Sequence, residues 1–331
     1  MLTTFPGSIP SNVPAATDVH PAERYLASLP SAESKRTMRT ALNNVAVLHG
    51  VKPAVRFDRD RLGREKKHDV TYLACDWAAF TAAGVAAIRT KLIQLYKPSS
   101  VNKILSALRG VLEAAYDLEL IGADAYQRAI KVKGVPNEPM PTGRDLSQDE
   151  IKALVKVCKA DKTAAGARDA AMLGVWYTCG IRRAELVRLN LADFDPTLGR
   201  LTIRAGRSRK RRTVYVPKSA LTALQVWLIM RGLAPGPLFY SIDKAGKLMG
   251  KSMSAQAAYK RLKRRIAQAG IQDFSPHDFR RTFVGDLLEK GADIGTVAKL
   301  AGHASVTTTA RYDRRAEEAK RKAAELLHFP F

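Results

Sequence analysis

The sequence predicts a mainly α-helical protein with a small β-sheet, divided into two domains. Its 331 residues exceed what one typical hydrophobic core organises. Apolar residues recur at helical spacing through most of the chain, and a hydrophobic content of 46% suffices for packed interiors. Only 200–205 and 212–217 alternate with a period of two, which predicts one β-hairpin in the second half.

The first domain is predicted to be a helical bundle over 21–132, with no good strand. Residues 1–20 contain three prolines and no periodic pattern, which indicates a flexible N-terminal tail. A long helical pattern follows Ser99 or Ser100, and one of these serines is the predicted N-cap. The charged stretch 56–69 is interpreted as a solvated loop, with DNA contact as the alternative.

A linker is predicted at 133–145, which holds three prolines and two glycines. The second domain then covers 146–331 and ends in a C-terminal tail, 314–331. It opens on Ser-Gln-Asp-Glu at 147–150, a capping box before an apolar helical pattern. The segment 170–179 is apolar all round, so we expect a buried helix there.

The charge of the chain indicates a polyanionic partner. Fifty-five Lys and Arg oppose 31 Asp and Glu, a net charge of +24. Residues 1–140 carry 19 basic and 13 acidic side chains, whereas 141–331 carry 36 and 18. A nucleic acid held by both parts fits this distribution. A membrane surface fits less well, because no basic amphipathic terminal segment is present.

The cysteines and apolar runs indicate where the chain works. Cys75, Cys158 and Cys179 are odd in number, widely spaced and set in apolar runs. We expect them to be reduced and buried, with no disulfide frame and no zinc site. The chain shows no signal peptide and no apolar run of about 18 residues. The expected location is therefore the cytoplasm, or wherever the DNA is.

Four polar islands stand out in the second domain, and each contains side chains that suit phosphate chemistry. They are CGIRRAELVRLNLADFD at 179–195 with Arg182 and Glu185, GRSRKRR at 206–212, SPHDFRRTF at 275–283 with His277 and Arg280, and LAGHASVTTTARYDRR at 300–315 with His303 and Tyr312.

Each island also has a structural interpretation. Glu185 lies one turn after Arg182, so it can orient the guanidinium or form a plain surface salt bridge. The basic run 206–212 is alternatively a solvated turn that touches phosphate non-specifically. Phe279 and Phe283 are four residues apart and are expected on the core side of their helix. A lone histidine is usually structural, but two of only six histidines fall in these islands.

Together the four islands favour phosphoryl transfer. Arginine forks match the oxygens of a phosphodiester, and histidine and lysine can move protons. A tyrosine hydroxyl can attack phosphorus and form a covalent ester. No Asp/Glu cluster typical of magnesium sites, no P-loop and no CxxC motif accompanies them. The set predicts DNA strand transfer through phosphotyrosine, with no metal and no cofactor.

The motifs resemble those of the tyrosine recombinases, the family of phage and transposon integrases and Xer-type recombinases. CGIRRAEL matches the family's Gly-hydrophobic-Arg-x-x-Glu box, and GRSRKRRTVYVP matches its Gly-Lys-Gly-x-Lys-x-Arg hairpin. PHDFRRTF matches the His-x-x-Arg box, and LAGHASVTTTARY matches the Leu-Gly-His box with its tyrosine nine residues on. The resemblance covers roughly 20–331. It implies a SAM-like helical core-binding bundle and a mixed α+β catalytic domain, which form a clamp around DNA.

The resemblance also implies a role for each motif residue. Arg182 and Arg280 would hold the scissile phosphate, and Tyr312 would attack it to give a 3′-phosphotyrosine and a free 5′-hydroxyl. His303 would hydrogen-bond the phosphate in the transition state, and His277 would assist proton transfer from Tyr312. The ester would conserve the bond energy, so that rejoining needs neither ATP nor a metal ion.

The hairpin departs from the family pattern at its lysine. Arg207 stands at the usual lysine position, and Lys210 follows three residues later. Arginine has a pKa above about 12 and holds its proton too tightly to release it to a leaving oxygen. We therefore expect Lys210 to be the general acid and Arg207 to contact phosphate, and the reverse assignment stays open.

Further DNA-binding side chains are predicted in the first domain, in the hairpin and in the basic helix at 254–270. Tyr259, Leu262 and Ile266 form the stripe of that helix expected to face the core, and a solvated basic helix is the alternative. The predicted DNA-binding residues are Ser99, Ser100, Asn102, Lys103, Arg109, Arg209, Arg211, Arg212, Lys260, Arg261, Lys263, Arg264 and Arg265.

The resemblance implies that the partner is a double-stranded DNA recombination site and that the chain forms a homo-oligomer. A dimer would occupy one site and a tetramer two, with the tail 314–331 docked on a neighbouring subunit. Its apolar end, 327–331, does not suit a free tail, although packing within the same chain is the alternative. Accessory directionality factors stay open. A type IB topoisomerase or telomere resolvase is the enzymatic alternative, and a non-catalytic architectural protein is the other.

Overall fold

The computed structural model describes residues 19–59, 63, 65–136, 143–204, 211–314, 321 and 324–327. The chain divides into two compact units, Met1–Pro139 and Met140–Phe331. The described residues are mainly helical, with small antiparallel sheets, as the sequence predicts. No helix among them is both long and apolar enough to cross a membrane.

The helices are numbered in chain order, and two short 3-10 turns at Thr71–Ala74 and Leu191–Asp193 are left unnumbered. They are α1 (Pro21–Ser28), α2 (Ala32–Leu48), α3 (Ala82–Leu95), α4 (Pro98–Asp117), α5 (Ala123–Ile130), α6 (Gln148–Ala160), α7 (Ala164–Cys179), α8 (Arg183–Leu186), α9 (Lys218–Arg231), α10 (Ala255–Ala269), α11 (Pro276–Glu289), α12 (Ile294–Ala301) and α13 (Val306–Ala310).

The strands form two hairpins and one three-stranded sheet, β3-β4-β5, all antiparallel. They are β1 (Val55–Arg59), β2 (Glu65–Asp69), β3 (Phe194–Asp195), β4 (Arg200–Arg204), β5 (Arg211–Tyr215), β6 (Tyr240–Ile242) and β7 (Leu248–Ser252).

The first unit is a helical bundle in which α4 packs against α1, α2, α3 and α5. Leu42, Leu92 and Leu108 are buried at its centre, as the helical spacing of the apolar residues requires. The expected cap at Ser99 or Ser100 is wrong. The helix begins earlier, at Pro98, because proline needs no hydrogen bond for its backbone nitrogen in the first turn.

The described parts of the charged stretch 56–69 lie in two antiparallel strands, β1 and β2, so the interpretation of the stretch as a loop is wrong. Val55 pairs with Asp69 and Arg59 pairs with Glu65, and Gly63 lies between the strands with a φ of 75°. Nearly all of its strand side chains are exposed, as expected of a solvated segment. Because neither face is buried, the sequence carries no apolar alternation that distinguishes such strands from a loop.

The second unit is built around α7, the buried helix that the sequence predicts. The helices α6, α9 and α11 all pack against it, and Trp176 on α7 is 1% exposed. The predicted capping box is confirmed, since Ser147 accepts from the backbone N–H of Glu150 and Glu150 accepts from that of Ser147. Trp227 on α9 is also fully buried and donates to the carbonyl oxygen of Leu238.

The predicted hairpin of the second domain is confirmed as β4 and β5, and β3 adds a third strand. Leu201 pairs with Val214 and Ile203 pairs with Arg212, which puts these four side chains on one face of the sheet. That face is turned to the core, because Leu201 and Val214 are buried. The hairpin tip, 205–210, lies outside the described residues.

The cysteines are free and buried, as expected of a reduced protein. Burial raises the pKa of Cys75, Cys158 and Cys179 to about 12 in each case. None of these thiols is therefore a ready nucleophile near neutral pH.

Candidate active site

Three separate parts of the second unit bring five of the predicted site residues together. The turn after α7, the first turns of α11 and the segment that runs from the end of α12 through α13 to Tyr312 each contribute. The residues are Arg182, His277, Arg280, His303 and Tyr312.

Gly180 makes the turn that presents Arg182. It ends α7 with a φ of 55°, a left-handed conformation that favours glycine. A Cβ at this position would also meet the ring of Phe283 at 2.2 Å, so no larger residue fits. The chain then enters the short helix α8, whose first turn carries Glu185.

Glu185 orients Arg182 through two hydrogen bonds. Its Oε1 accepts from Arg182 Nη1 at 2.9 Å, and its Oε2 accepts from the Arg182 backbone N–H at 2.8 Å. Arg182 Nη2 donates to the carbonyl oxygen of Gly302 at 3.1 Å, which connects it to the residue before His303. Half of the Arg182 side chain stays exposed, whereas Glu185 is 6% exposed. Because Glu185 is buried and binds both the side chain and the backbone of Arg182, the pair orients the guanidinium and is more than a surface salt bridge.

Arg280 is a buried arginine with unused hydrogen-bonding capacity. Its Nη1 donates to the carbonyl oxygen of Gly180 at 2.8 Å, while its Nη2 is buried without a hydrogen-bond partner among the described residues. Burial, followed by the nearby charges of Arg182 and Arg212, lowers the pKa of Arg280 to about 10. A buried, unsatisfied cation of this kind is a strong site for an anion.

The helix α11 positions Arg280 and His277. Ser275 accepts from the N–H of His277, Asp278 accepts from the N–H of Ser275, and Pro276 occupies the first position. Phe279 packs in the main core, which turns the side of the helix with His277 towards solvent.

Tyr312 and the two histidines complete the site. Tyr312 Oη lies 3.4 Å from His277 Nε2, and its ring lies 6.2 Å from that of His303 at an angle of 21°. His303 Nδ1 shares a hydrogen bond with Thr309 Oγ1 at 2.8 Å, and Thr309 is fully buried.

Both histidines are held in their neutral form near neutral pH. Burial and then Arg280 lower the pKa of His277, and the same two causes lower that of His303 to about 4. A neutral His277 can accept a proton from the Tyr312 hydroxyl. The arrangement combines an anion site, a nucleophile and a base, which is what attack on a phosphodiester requires.

Two predicted DNA-binding arginines in the second unit are not free surface residues. Arg265 is 4% exposed and donates to Asp169 Oδ2 at 2.9 Å and to Asp161 Oδ2 at 2.6 Å. It lies three residues after Leu262, on the buried side of α10. Arg212 is 13% exposed and forms an ion pair with Glu185 at 2.8 Å. The assignment of these two side chains to DNA contact is therefore corrected.

The other residues of the basic helix fit their predicted exposure better. Lys260 and Arg264 are exposed and Arg261 is half-buried, whereas Lys263 forms an ion pair with Asp273. Tyr259 is half-buried beneath the cation of Arg183 instead of lying in the core, so the predicted stripe is only partly right.

In the first unit, two predicted DNA-binding residues hold the chain that leads out of the bundle. Asn102 exchanges two hydrogen bonds with the backbone of Val135, at 2.7 and 2.8 Å, and Arg109 donates to the carbonyl oxygen of Val132 at 2.6 Å. Both side chains are half-buried and hold the backbone in this way, and their contact with DNA stays a prediction.

Ser100 and Lys103 face a polar groove of about 490 Å³ on the first unit. Ser99 is exposed beside them. The sequence analysis did not predict the groove residues on α2. The polar side of that helix is the feature that could have indicated them. The groove is lined by Arg36, Thr37, Thr40, Ala41, Asn44, Tyr96, Ser100, Lys103 and Ile104.

The predicted residues of the hairpin tip and most of the tail lie outside the described part of the chain. Arg207, Arg209 and Lys210 lie outside the described residues, whereas Arg211 begins β5 and is exposed. Of the tail, Arg314 forms ion pairs with Asp145 at 3.0 Å and with Glu289 at 3.1 Å. The sequence analysis missed Arg314, because its partners lie far away in sequence.

Metal-binding groups and apolar surface complete the description of this unit. Within the described ranges, no group of three or more His, Cys, Asp or Glu has the geometry to hold a metal ion. A largely apolar groove of about 520 Å³ runs between α6, α7 and α9.

Comparisons with known proteins show which family the chain resembles. The model of the phage integrase family matches residues 144–319. The tyrosine recombinase XerD of Proteus mirabilis is 31% identical over 264 residues, which cover 77% of this chain and 80% of that protein. The tyrosine recombinase XerA of Pyrococcus furiosus is 30% identical over 230 residues, which cover 70% of this chain and 74% of that protein.

Solved structures share the fold at low sequence identity. The Tn1549 transposon integrase in complex with transposon right end DNA superposes with a TM-score of 0.63 at 14% identity, covering 93% of this chain and 99% of that one. A lambda integrase dimer bound to a COC′ core site gives a TM-score of 0.59 at 13% identity, covering 90% and 77%. Because the curated relatives are also similar over most of their length, this chain belongs to the phage integrase family of tyrosine recombinases.

Proposed function

We propose that this tyrosine recombinase cleaves and rejoins double-stranded DNA at a specific site through a 3′-phosphotyrosine intermediate. One observation carries the proposal. Tyr312 Oη lies 3.4 Å from the neutral His277, close to the buried Arg280 nitrogen that has no partner among the described residues. A phosphate oxygen is the ligand that this nitrogen fits best.

The proposed reaction assigns a task to each side chain. Tyr312 Oη attacks the phosphorus, its proton passes to His277 Nε2, and the bond from phosphorus to the 5′-oxygen breaks. Arg182 and Arg280 stabilise the charge on the non-bridging oxygens, and His303 donates to one of them. Lys210 protonates the leaving 5′-oxygen, with Arg207 on the phosphate. Attack by a 5′-hydroxyl on the ester then reverses these steps and rejoins the strand.

DNA is the proposed partner of both units. The structures of the Tn1549 integrase in complex with transposon right end DNA and of the lambda integrase dimer bound to a core site support this assignment. In the first unit, Ser99, Ser100 and Lys103 would contact the duplex beside the polar groove. In the second, the contacts would come from the hairpin tip and α10, through Arg209, Arg211, Lys260, Arg261 and Arg264.

We also propose that copies of the chain assemble through the C-terminal tail, as a dimer on one site and a tetramer on two. Leu326 and Leu327 are 85% and 84% exposed, so no described part of the same chain covers them. The apolar groove between α6, α7 and α9 offers a matching surface on another copy. On this proposal the protein works in the cytoplasm, on the bacterial nucleoid or on the DNA of a mobile element.

The test traps the covalent intermediate on a library of duplexes with a randomised core and one nick. The nick lets the short 5′-hydroxyl product escape, so the protein–DNA ester accumulates. Wild-type protein should leave denaturation-resistant adducts on one family of related sequences, with EDTA present or absent. Tyr312→Phe should bind the same duplexes and leave no adduct. Absence of any adduct from wild-type protein would overturn the enzymatic proposal and favour an architectural DNA-binding protein.

A second assay separates recombination from relaxation. Two plasmids that carry the recovered sequence should exchange strands, whereas supercoiled plasmids without it should stay supercoiled. Relaxation of plasmids that lack the sequence would instead indicate a type IB topoisomerase.

A further inference from the structure

Arg212 is a mostly buried arginine beside the site, and its side chain is engaged by other parts of the protein. The register of β4 and β5 puts it opposite Ile203, on the face of the sheet turned to the core. Its exposed fraction is 13%, against 50% for Arg182. It differs from Arg280 in that all three of its nitrogens donate hydrogen bonds within the protein.

These hydrogen bonds join three elements. Nη1 and Nη2 donate to the two oxygens of Glu185 at 2.9 and 2.8 Å, and Nε donates to the carbonyl oxygen of Leu300 at 2.9 Å. Gly302 closes over the guanidinium with a φ of 66°, and a Cβ there would meet Arg212 at 3.0 Å. Arg212 therefore connects β5 with α8 and with the end of α12.

Arg182 and His303, which are proposed to bind the scissile phosphate, lie next to these contacts. The Glu185 oxygens that bind Arg212 are also the ones that hold Arg182. Gly302, which covers Arg212, accepts a hydrogen bond from Arg182 and precedes His303. Burial by itself would raise the pKa of Glu185, but the hydrogen bonds led by those from Arg212 lower it to about 2.

We propose that Arg212 is a positioning residue, which sets Arg182 and His303 in place for the transition state without contacting DNA. This inference rests on the proposed strand-transfer function. This role requires the planar guanidinium of Arg212, because a lysine offers one point charge and cannot bind both Glu185 oxygens and the Leu300 carbonyl together. With Arg212 replaced, Glu185 would keep its charge and lose the partner that orients it.

The test compares Arg212→Lys with wild-type protein in single-turnover adduct formation on the best duplex recovered from the randomised library. The maximal rate should fall about 10- to 100-fold, as expected when catalytic groups lose their alignment. The affinity for that duplex and its salt dependence should not change. Arg200→Lys is the matched control, because Arg200 on β4 is nearly half exposed, pairs with Asp195 on the surface and should keep the wild-type rate.

A substrate with a methylphosphonate at the scissile position distinguishes positioning from general support of the fold. This neutral linkage needs less charge stabilisation, so the Arg212→Lys deficit should shrink to within about threefold on it. Arg182→Lys should show the same relief. Gly302→Ala provides a second variant, which crowds the guanidinium without removing a charge and should reproduce the pattern. Because its φ of 66° also strains an alanine, its thermal unfolding is measured alongside.

Three results would overturn the inference. They are an equal deficit on both substrates, a weaker salt dependence of binding, and a wild-type rate for Arg212→Lys. If the wild-type protein itself forms no adduct, the strand-transfer proposal fails instead, and the two failures are thereby distinguished.

Discussion

Arg265 and Arg280 are both buried in the second unit, but their hydrogen bonding differs. Arg265 is fully engaged by Asp161 and Asp169, whereas Arg280 keeps a nitrogen without a partner among the described side chains. Pairing offsets the cost of burying the Arg265 charge. The cost of burying Arg280 is not offset within the described protein, and a DNA phosphate would supply the missing partner. An uncompensated buried charge of this kind is typical of a ligand-binding site.

His277 gives a prediction on pH. Its pKa is lowered from the ordinary value by burial and by Arg280, so the ring is neutral at pH 7 and becomes protonated only in more acidic solution. Because only the neutral ring accepts the Tyr312 proton, the single-turnover rate should fall on this acid side. His277→Ala should be about 100-fold slower, with no acid limb of this kind.

The control for this profile is His49→Asn in the first unit, where the ring stacks on Phe80 with 4.2 Å between centroids. That variant should keep both the rate and the acid limb. An acid limb that persists in His277→Ala would assign the titration to another group.

The helix α10 has a buried side and an exposed basic side. Substitutions of two neighbouring arginines, Arg265 and Arg264, test the two sides separately. Arg265→Ala removes the ion-pair partner of the half-buried Asp161 and leaves the buried Asp169 with Arg168 alone, so unfolding should become easier by about 3 kcal/mol. Arg264→Ala should leave stability unchanged, because this side chain is exposed. It should instead reduce the slope of log affinity against log salt by about 0.9, the value for one phosphate contact.

Chemical denaturation measures the first effect, and salt titrations of duplex binding measure the second. Loss of a salt-dependent contact in folded Arg265→Ala would restore the original assignment of that residue to DNA.

The hairpin tip between β4 and β5 gives a prediction about the general acid. Lysine can lose its proton near neutral pH when burial and neighbouring cations lower its pKa, whereas arginine cannot. Lys210→Ala should therefore be slow on ordinary DNA. A substrate with sulfur at the bridging 5′ position, which leaves without protonation, should largely rescue it.

Arg207→Ala should stay slow on both substrates, because it loses a phosphate contact. Rescue of Arg207→Ala and not of Lys210→Ala would give the acid role to the family's usual position.

At the scale of the whole molecule, the net charge of +24 and the exposed leucines of the tail both indicate binding partners. The charge suits DNA, and the leucines suit a second copy of the chain. Removing residues 322–331 should thus leave binding to a single half-site nearly unchanged. It should reduce cooperative binding to a duplex that carries two half-sites, as measured in gel-shift titrations.

Thermal unfolding of the shortened protein provides the control for this prediction. A deletion that unfolds the monomer would favour packing of the tail within its own chain.

By itself, the sequence determined the helical pattern of both units, the capping box at 147–150, the β4–β5 hairpin and the family to which the chain belongs. These features depend on the spacing of residue types over a few turns, which a sequence displays directly. The motif residues could be named in the same way, because the chemistry of phosphoryl transfer requires particular side chains.

Only the tertiary structure decided which polar side chains have partners inside the protein. Arg265, Arg212, Asn102 and Arg109 look like surface residues in the sequence, yet each binds partners contributed by other elements. Asp161 lies 104 residues before Arg265, and Glu185 lies 27 before Arg212. Burial depends on such distant partners, because a charge is tolerated inside a protein only where the fold brings its counter-charge into contact.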